Sequence, residues 1–320
     1  MKRQISKWLS ILLPLFLGVF LIIYSYNKFS EEEILEIKSQ FVNANYNYIY
    51  FAIFIAFLGS ASRAYRWKYV LDHMGYKTTF SNNFMAVSIG YLMNLTVPRS
   101  GEISRALVLK KYNNVPFDKG FGSIIAERII DMIILLGFII VAFFVQFDIV
   151  KTFVLDKIPL QKIMLLFVFG LALFIAFILL YFYSNAKFII QFKLKIAGLK
   201  EGLLSIVHMK KKWSYLGHTL FIWFSYIFMF FIGIFVIPET NTLSLGAVLT
   251  SFVVGSIAIA FTNSGFGSYP FLIAKILLFY NISETAGNAF GWIVWTSQML
   301  LLVFLGAFSF LLLPILNRRK

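Results

Sequence analysis

Apolar residues run almost unbroken over 8–26, 46–62, 122–147, 163–183, 213–237 and 288–313. Each run is close to the roughly 20 residues that cross a bilayer as a helix, which predicts six transmembrane helices. Two further apolar stretches, 84–97 and 250–261, are too short to cross about 30 Å of hydrocarbon and stop at clusters of Gly, Pro and Ser that break helices. We read 84–112 and 250–280 as broken hairpins that enter the membrane and return on the same side. The alternative is a pair of ordinary short spans with polar turns at the surface. The first run follows Lys2, Arg3 and Lys7, as a signal peptide would, but it is too long and has no small-residue cleavage site. It is read as a retained span. The expected fold is therefore an all-α integral membrane protein of six spans and two broken re-entrant helical hairpins.

The second half echoes the first. A shift of 168 positions lays Phe84 on Phe252, Ser88 on Ser256, Ile89 on Ile257, Ser100 on Ser268, Ala106 on Ala274, Leu109 on Leu277, Tyr112 on Tyr280 and Asn113 on Asn281. With one residue deleted, Phe121 to Phe147 falls on Asn288 to Pro314. One polytopic domain, 1–320, then divides into repeat halves 1–147 and 163–314, with a basic connector at 185–212. That connector is amphipathic around Phe188, Ile189, Phe192 and Ile196, a pattern suited to anionic headgroups.

Composition and charge narrow the function. Apolar residues make up 60% and charged residues only 13%, about half the charge of a soluble domain. This excludes disorder, nucleic-acid modules and ordinary soluble enzymes. The net charge of +15 is read as an orientation signal, since cytoplasmic loops collect Lys and Arg. Cations cluster at the N-terminus, at Arg63, Arg66, Lys68, Lys77, Lys110, Lys111 and Lys119, at 187–212, and at the C-terminus. Acidic residues Glu31, Glu32, Glu33, Glu36 and Glu239 mark the opposite side. Both termini are therefore expected in the cytoplasm, and by the same charges the two halves run in opposite directions. Inverted repeats with interrupted helices recur in transporters. No cysteine is present, the three histidines have no metal-ligand spacing and no Walker motif occurs. No metal and no cofactor are expected.

Charges inside apolar segments need a reason. In the first hairpin, Asn94, Pro98 and Gly101 form a tip that carries Arg99, Glu102 and Arg105. Helical spacing lets Glu102 pair with either arginine, yet a positive excess remains, which suits the oxygens of a phosphate. The following span adds Glu127, Arg128 and Asp131. If that helix enters the membrane near Phe121, Asp131 lies about 15 Å along it. Three such charges facing lipid would cost roughly 8–10 kcal/mol even on the lenient insertion scale. Either they serve a substrate or they form an internal ion cluster that holds helices together. The second tip supplies Asn263, Gly265 and Gly267, with Lys275 as its charge at depth.

Asn94, Pro98, Arg99, Gly101, Glu102 and Arg105, followed by Glu127, Arg128 and Asp131, resemble the N-x-x-x-P-x-R-x-G-E-x-x-R and E-R-x-x-D motifs of the flippase-like family named for the transmembrane region of lysylphosphatidylglycerol synthase. The second half departs from it: Asn263-Ser-Gly265-Phe-Gly267-Ser-Tyr269-Pro270 keeps the glycines of the family's P-x-P-G-G-x-G-x-x-E stretch but lacks its first prolines and its acid. The resemblance implies translocation of aminoacylated phospholipids or polyisoprenyl-phosphate sugars through a midplane polar cavity. Chain 1–320 ends just after its last span, so no aminoacyl-transferase domain and no synthesis are expected. Expected partners are membrane lipids with an anionic or phosphate-bearing headgroup, a second copy of the chain or a lipid-modifying enzyme, and no nucleic acid. The expected location is the inner or plasma membrane. Two other classes stay open: a membrane-embedded transferase or hydrolase with Glu127 or Asp131 as general base, and a scaffold for cell-envelope enzymes.

Overall fold

The structure is a computed structural model that describes residues 2–148, 160–184, 186, 189, 190, 193 and 208–318. Among the described residues are eleven α-helices and no strand: α1 (Lys2–Lys28), α2 (Glu31–Asn43), α3 (Tyr46–His73), α4 (Phe80–Thr96), α5 (Ser100–Asn113), α6 (Phe117–Val145), α7 (Leu160–Tyr183), α8 (Lys212–Gly233), α9 (Leu245–Phe261), α10 (Ser268–Leu277) and α11 (Glu284–Leu316). All six long apolar runs are long helices, and both expected hairpins are pairs of short ones, α4–α5 and α9–α10. Helices α3, α6, α8 (with its 3-10 extension to Val236) and α11 are each long and apolar enough to span a membrane. Most of the connector at 185–212 lies outside the described residues.

The breaks in the hairpins have local causes. Val97 is extended, at φ −132 and ψ 118, because Pro98 after it disfavours helical backbone. Arg99 then takes a left-handed turn, φ 63, from which α5 starts. Gly101 lets the two arms touch: a Cβ there would lie 2.1 Å from the Gly90 carbonyl oxygen. Its N–H is bound by Asn94 Oδ1 at 2.7 Å, so the motif asparagine and glycine form one joint.

Helix α2 was expected only as an acidic loop. A reciprocal cap starts it: Ser30 Oγ accepts from the Glu33 N–H at 3.2 Å and Glu33 Oε2 accepts from the Ser30 N–H at 2.8 Å. Glu31, Glu32 and Glu33 all lie in its first turn, where carboxylates oppose the helix dipole.

Of the buried apolar clusters among the described residues, the two largest each fall mainly in one half of the chain. One joins Trp67, Leu71, Ala86, Val87, Ala106, Leu109, Val115 and Ile124 of α3 to α6. The larger is built chiefly from α8 to α11, around Phe230, Phe252, Ile273 and Phe290. The shift of 168 positions reappears in local detail. Arg99 and Gly267, at matching positions, are both left-handed. Ser88 Oγ donates to the Phe84 carbonyl and Ser256 Oγ to the Phe252 carbonyl. Gly120 packs on Ala106 as Gly287 packs on Ala274. The tips themselves meet at matching positions, where Asn263 Nδ2 donates to the Leu95 carbonyl at 3.1 Å.

Outside these cores, large apolar side chains face outward without cover. Phe144 on α6 is 71% exposed and Phe304 on α11 66%. Only a lipid environment makes such faces stable.

Candidate functional site

Glu127 and Asp131 stand one turn apart on α6, and Asp131 is the middle residue of that 29-residue helix. Both are buried, with the guanidinium groups of Arg63, Arg66 and Arg105 packed around them. Arg105 grips Glu127 with both ends of its fork, Nη1 to Oε1 at 3.3 Å and Nη2 to Oε2 at 3.0 Å. Its other face lies 4.2 Å over the Trp67 ring, a cation–π contact away from water. Arg63 bridges both carboxylates, binding Glu127 Oε1 closely and Asp131 Oδ2 at 2.9 Å, and also donates to the Tyr226 hydroxyl at 3.1 Å. Arg66 reaches Asp131 Oδ1 at 2.8 Å, Glu127 Oε1 at 3.2 Å and Thr219 Oγ1 at 3.3 Å. Trp67 is held by its indole N–H on Ser123 Oγ at 2.9 Å.

The charges do not balance. Three fully buried arginines face two carboxylates. The Nε atoms of Arg63, Arg66, Arg105 and Arg128 and the Oε2 of Glu102 are buried with no hydrogen-bond partner among the described residues. Arg128 and, through it, Glu102 adjoin this centre, and Arg99 lies at the tip of the same hairpin. Arg128 is 37% exposed, with Nε 3.6 Å from Glu102 Oε1 and weaker approaches to Glu127 and Asp131. Arg99 is exposed at the tip and has no ion pair among the described residues. Over the whole group, five arginines meet three acids (Glu102, Glu127, Asp131).

Most of the expected first-half residues therefore converge, with two corrections. Glu102 pairs with neither Arg99 nor Arg105 but with Arg128 on α6, because Arg105 points across to Glu127. Arg63 and Arg66, expected as surface orientation charges, are among the most buried side chains in the protein. Their spacing was the available signal: three residues apart they share one face of α3, beside an apolar Trp67, where a solvated charge has no place.

The second-half residues divide. Asn263 joins the first tip through Leu95, and its Oδ1 is buried without a partner among the described residues. Gly265 is left-handed at φ 80 under Trp295, whose indole N–H donates to the Ser264 carbonyl at 2.8 Å. Gly267 is left-handed too, and a Cβ on it would lie 2.2 Å from the Gly18 carbonyl oxygen, so α1 is seated directly on this tip. Lys275 does not join the cluster. It pairs with Glu284 at 2.6 Å, and Glu284 also holds Lys28 at 2.5 Å, tying the end of α1 to α10 and α11. The expectation of a charge at depth fails because Lys275 is in the last turn of α10, where its ammonium reaches the start of α11.

No group of three or more His, Cys, Asp or Glu that could hold a metal occurs among the described residues. The family model described as "Lysylphosphatidylglycerol synthase TM region" matches residues 11–306. The UPF0104 membrane protein MJ1595 of Methanocaldococcus jannaschii is 32% identical over 100 residues, 30% of this chain and 30% of that protein. Glycosyltransferase AglD of Haloferax volcanii is 33% identical over 76 residues, 23% of this chain and 12% of that protein. Each match spans less than a third of the relative's own length. No solved structure matches the chain.

Proposed function

The chain belongs to the lysylphosphatidylglycerol synthase TM region family, and from that premise we propose that it moves a phosphate-bearing lipid across a cell membrane. The observation that supports this most is the positive excess of the site: three buried arginines against two carboxylates, with Arg128 on α6 still 37% exposed and Arg99 exposed at the tip of the first hairpin. A purely structural ion cluster gains nothing from surplus positive charge, since an unpaired buried charge is costly. An anionic headgroup would supply the missing charge, and arginine forks suit phosphate oxygens.

In this reading Arg99 and Arg128 bind the phosphate. Arg105 acts at one remove by clamping Glu127, and Glu102 orients Arg128. Arg63, Arg66 and Asp131 hold the centre rigid, so that binding does not collapse it. The tips, joined by Asn263 and Leu95, must part for the headgroup to pass between the halves, which on the charge pattern are inverted with both termini in the cytoplasm. The lipid is an aminoacylated phospholipid or a polyisoprenyl-phosphate sugar, and the setting is the inner or plasma membrane.

A second reading rests on the relative named a glycosyltransferase: covalent chemistry on a lipid phosphate, with an α6 carboxylate as base. Fluorescent aminoacylated phosphatidylglycerol in proteoliposomes separates the two. Translocation predicts that label moves between leaflets with no change in lipid mass. A changed headgroup mass with no movement would replace the first reading by the second.

A further inference from the structure

On a neighbouring face of α3 and α8, beside the arginine cluster, lies an open groove of about 560 Å³, lined among others by Leu58, Tyr65, Tyr69, Gly217, His218 and Phe221. Its volume is within the range of ligand clefts, about 300–1,000 Å³. Ser62 and His218 line it, one position from Arg63 and Thr219 of the cluster, so the two sites share a wall but no side chain.

The groove changes character along its length. Leu58 and Phe221 are purely apolar. Next comes a polar step, where Ser62 Oγ and His218 Nδ1 are 2.8 Å apart. The His218 ring is stacked on Tyr65 at 5.7 Å and lies 5.7 Å from Tyr69, leaving Nε2 with no partner among the described residues. Beyond it Lys211 Nζ sits 5.7 Å over the Tyr69 ring. Lys210 and Lys212 beside it are exposed and, among the described residues, unpaired, and Trp213 is 76% exposed. An exposed tryptophan next to lysines is the usual signature of headgroup depth.

Apolar, hydrogen-bonding and cationic zones in that order match an acyl chain, a glycerol ester region and an anionic phosphate. We infer that this groove binds one anionic glycerophospholipid as a resident lipid, distinct from the lipid handled by the first hairpin. Its acyl chain lies along Leu58 and Phe221, His218 and Ser62 face the ester region, and Lys211 meets the phosphate.

The full chain in nanodiscs, with phosphatidylglycerol or phosphatidylcholine carrying a diazirine in the acyl chain, tests this by peptide mass spectrometry after photolysis. The expected adducts fall on 58–69 and 217–221, with more from phosphatidylglycerol than from phosphatidylcholine. Lys211→Gln should cut that preference about fivefold, the effect of one lysine near an anionic lipid surface. Gly217→Phe should abolish the adducts on α3 with an unchanged melting temperature, because a Cβ at Gly217 meets no atom within 4 Å. Equal labelling by both lipids, adducts only elsewhere, or labelling that survives Gly217→Phe would overturn the inference. So would cross-links that place residues 187–207 or a second copy in the groove. Should Gly217→Phe fail to fold, Lys211→Gln decides alone.

Discussion

The buried cluster makes charge arithmetic a matter of single residues. Removing a carboxylate from three arginines and two acids leaves three against one, whereas removing an arginine leaves two against two. Glu127→Gln is therefore expected to destabilise by about 3–5 kcal/mol, the cost of breaking a buried pair. Arg105→Met, which keeps the packing on Trp67, is expected to cost clearly less. Thermal unfolding of both variants in detergent checks this, and equal losses or a reversed order would show that net charge does not govern the cluster. Arg99 makes no ion pair among the described residues, so Arg99→Ala should leave the stability within about 0.5 kcal/mol of the wild type, as expected for a surface substitution.

At the scale of elements, the hairpins were legible because Pro98, Gly101, Gly265 and Gly267 interrupt apolar runs already too short to span. What the sequence hid was which element each charge addresses. Counting cations along loops sorts them by side of the membrane, and Arg63 and Arg66 were sorted to the cytoplasmic surface because nothing in one chain tells that α6 brings two carboxylates to meet them. The same blindness put Lys275 at depth, when its partner Glu284 begins the next helix. Helix α2 was missed because its cap, Ser30 with Glu33, is a local signal inside a segment read only for charge. Seating of α1 on the second tip leads to a further expectation. Gly267→Ala adds a methyl where φ is 67 and the Gly18 carbonyl is 2.2 Å away. It should cost about 1–3 kcal/mol. Proteolysis of the α1–α2 junction should become faster, and an unchanged rate and melting temperature would mean that α1 is not anchored there.

Over the whole molecule, positions related by the 168-residue shift share local detail but not charge. Matching positions hold the left-handed turn, the serine-to-carbonyl bonds and the small-residue helix contacts, while Val294 and Trp295 stand where the first half has Glu127 and Arg128. The tips meet at Asn263 and Leu95, so lipid movement should require them to separate. A cysteine pair at positions 95 and 263 should stop movement when oxidised and restore it when reduced, and movement that persists in the oxidised protein would place the path elsewhere. The most direct measurement is the leaflet assay with Arg99→Ala and Arg128→Ala beside the wild type. The wild type should move fluorescent aminoacylated phosphatidylglycerol, and each variant, folded and inserted normally, should move it at least about tenfold more slowly, as loss of a charge-assisted contact of about 1.5–3 kcal/mol requires. Movement at the wild-type rate in both variants would contradict the assignment of the first hairpin as the phosphate site.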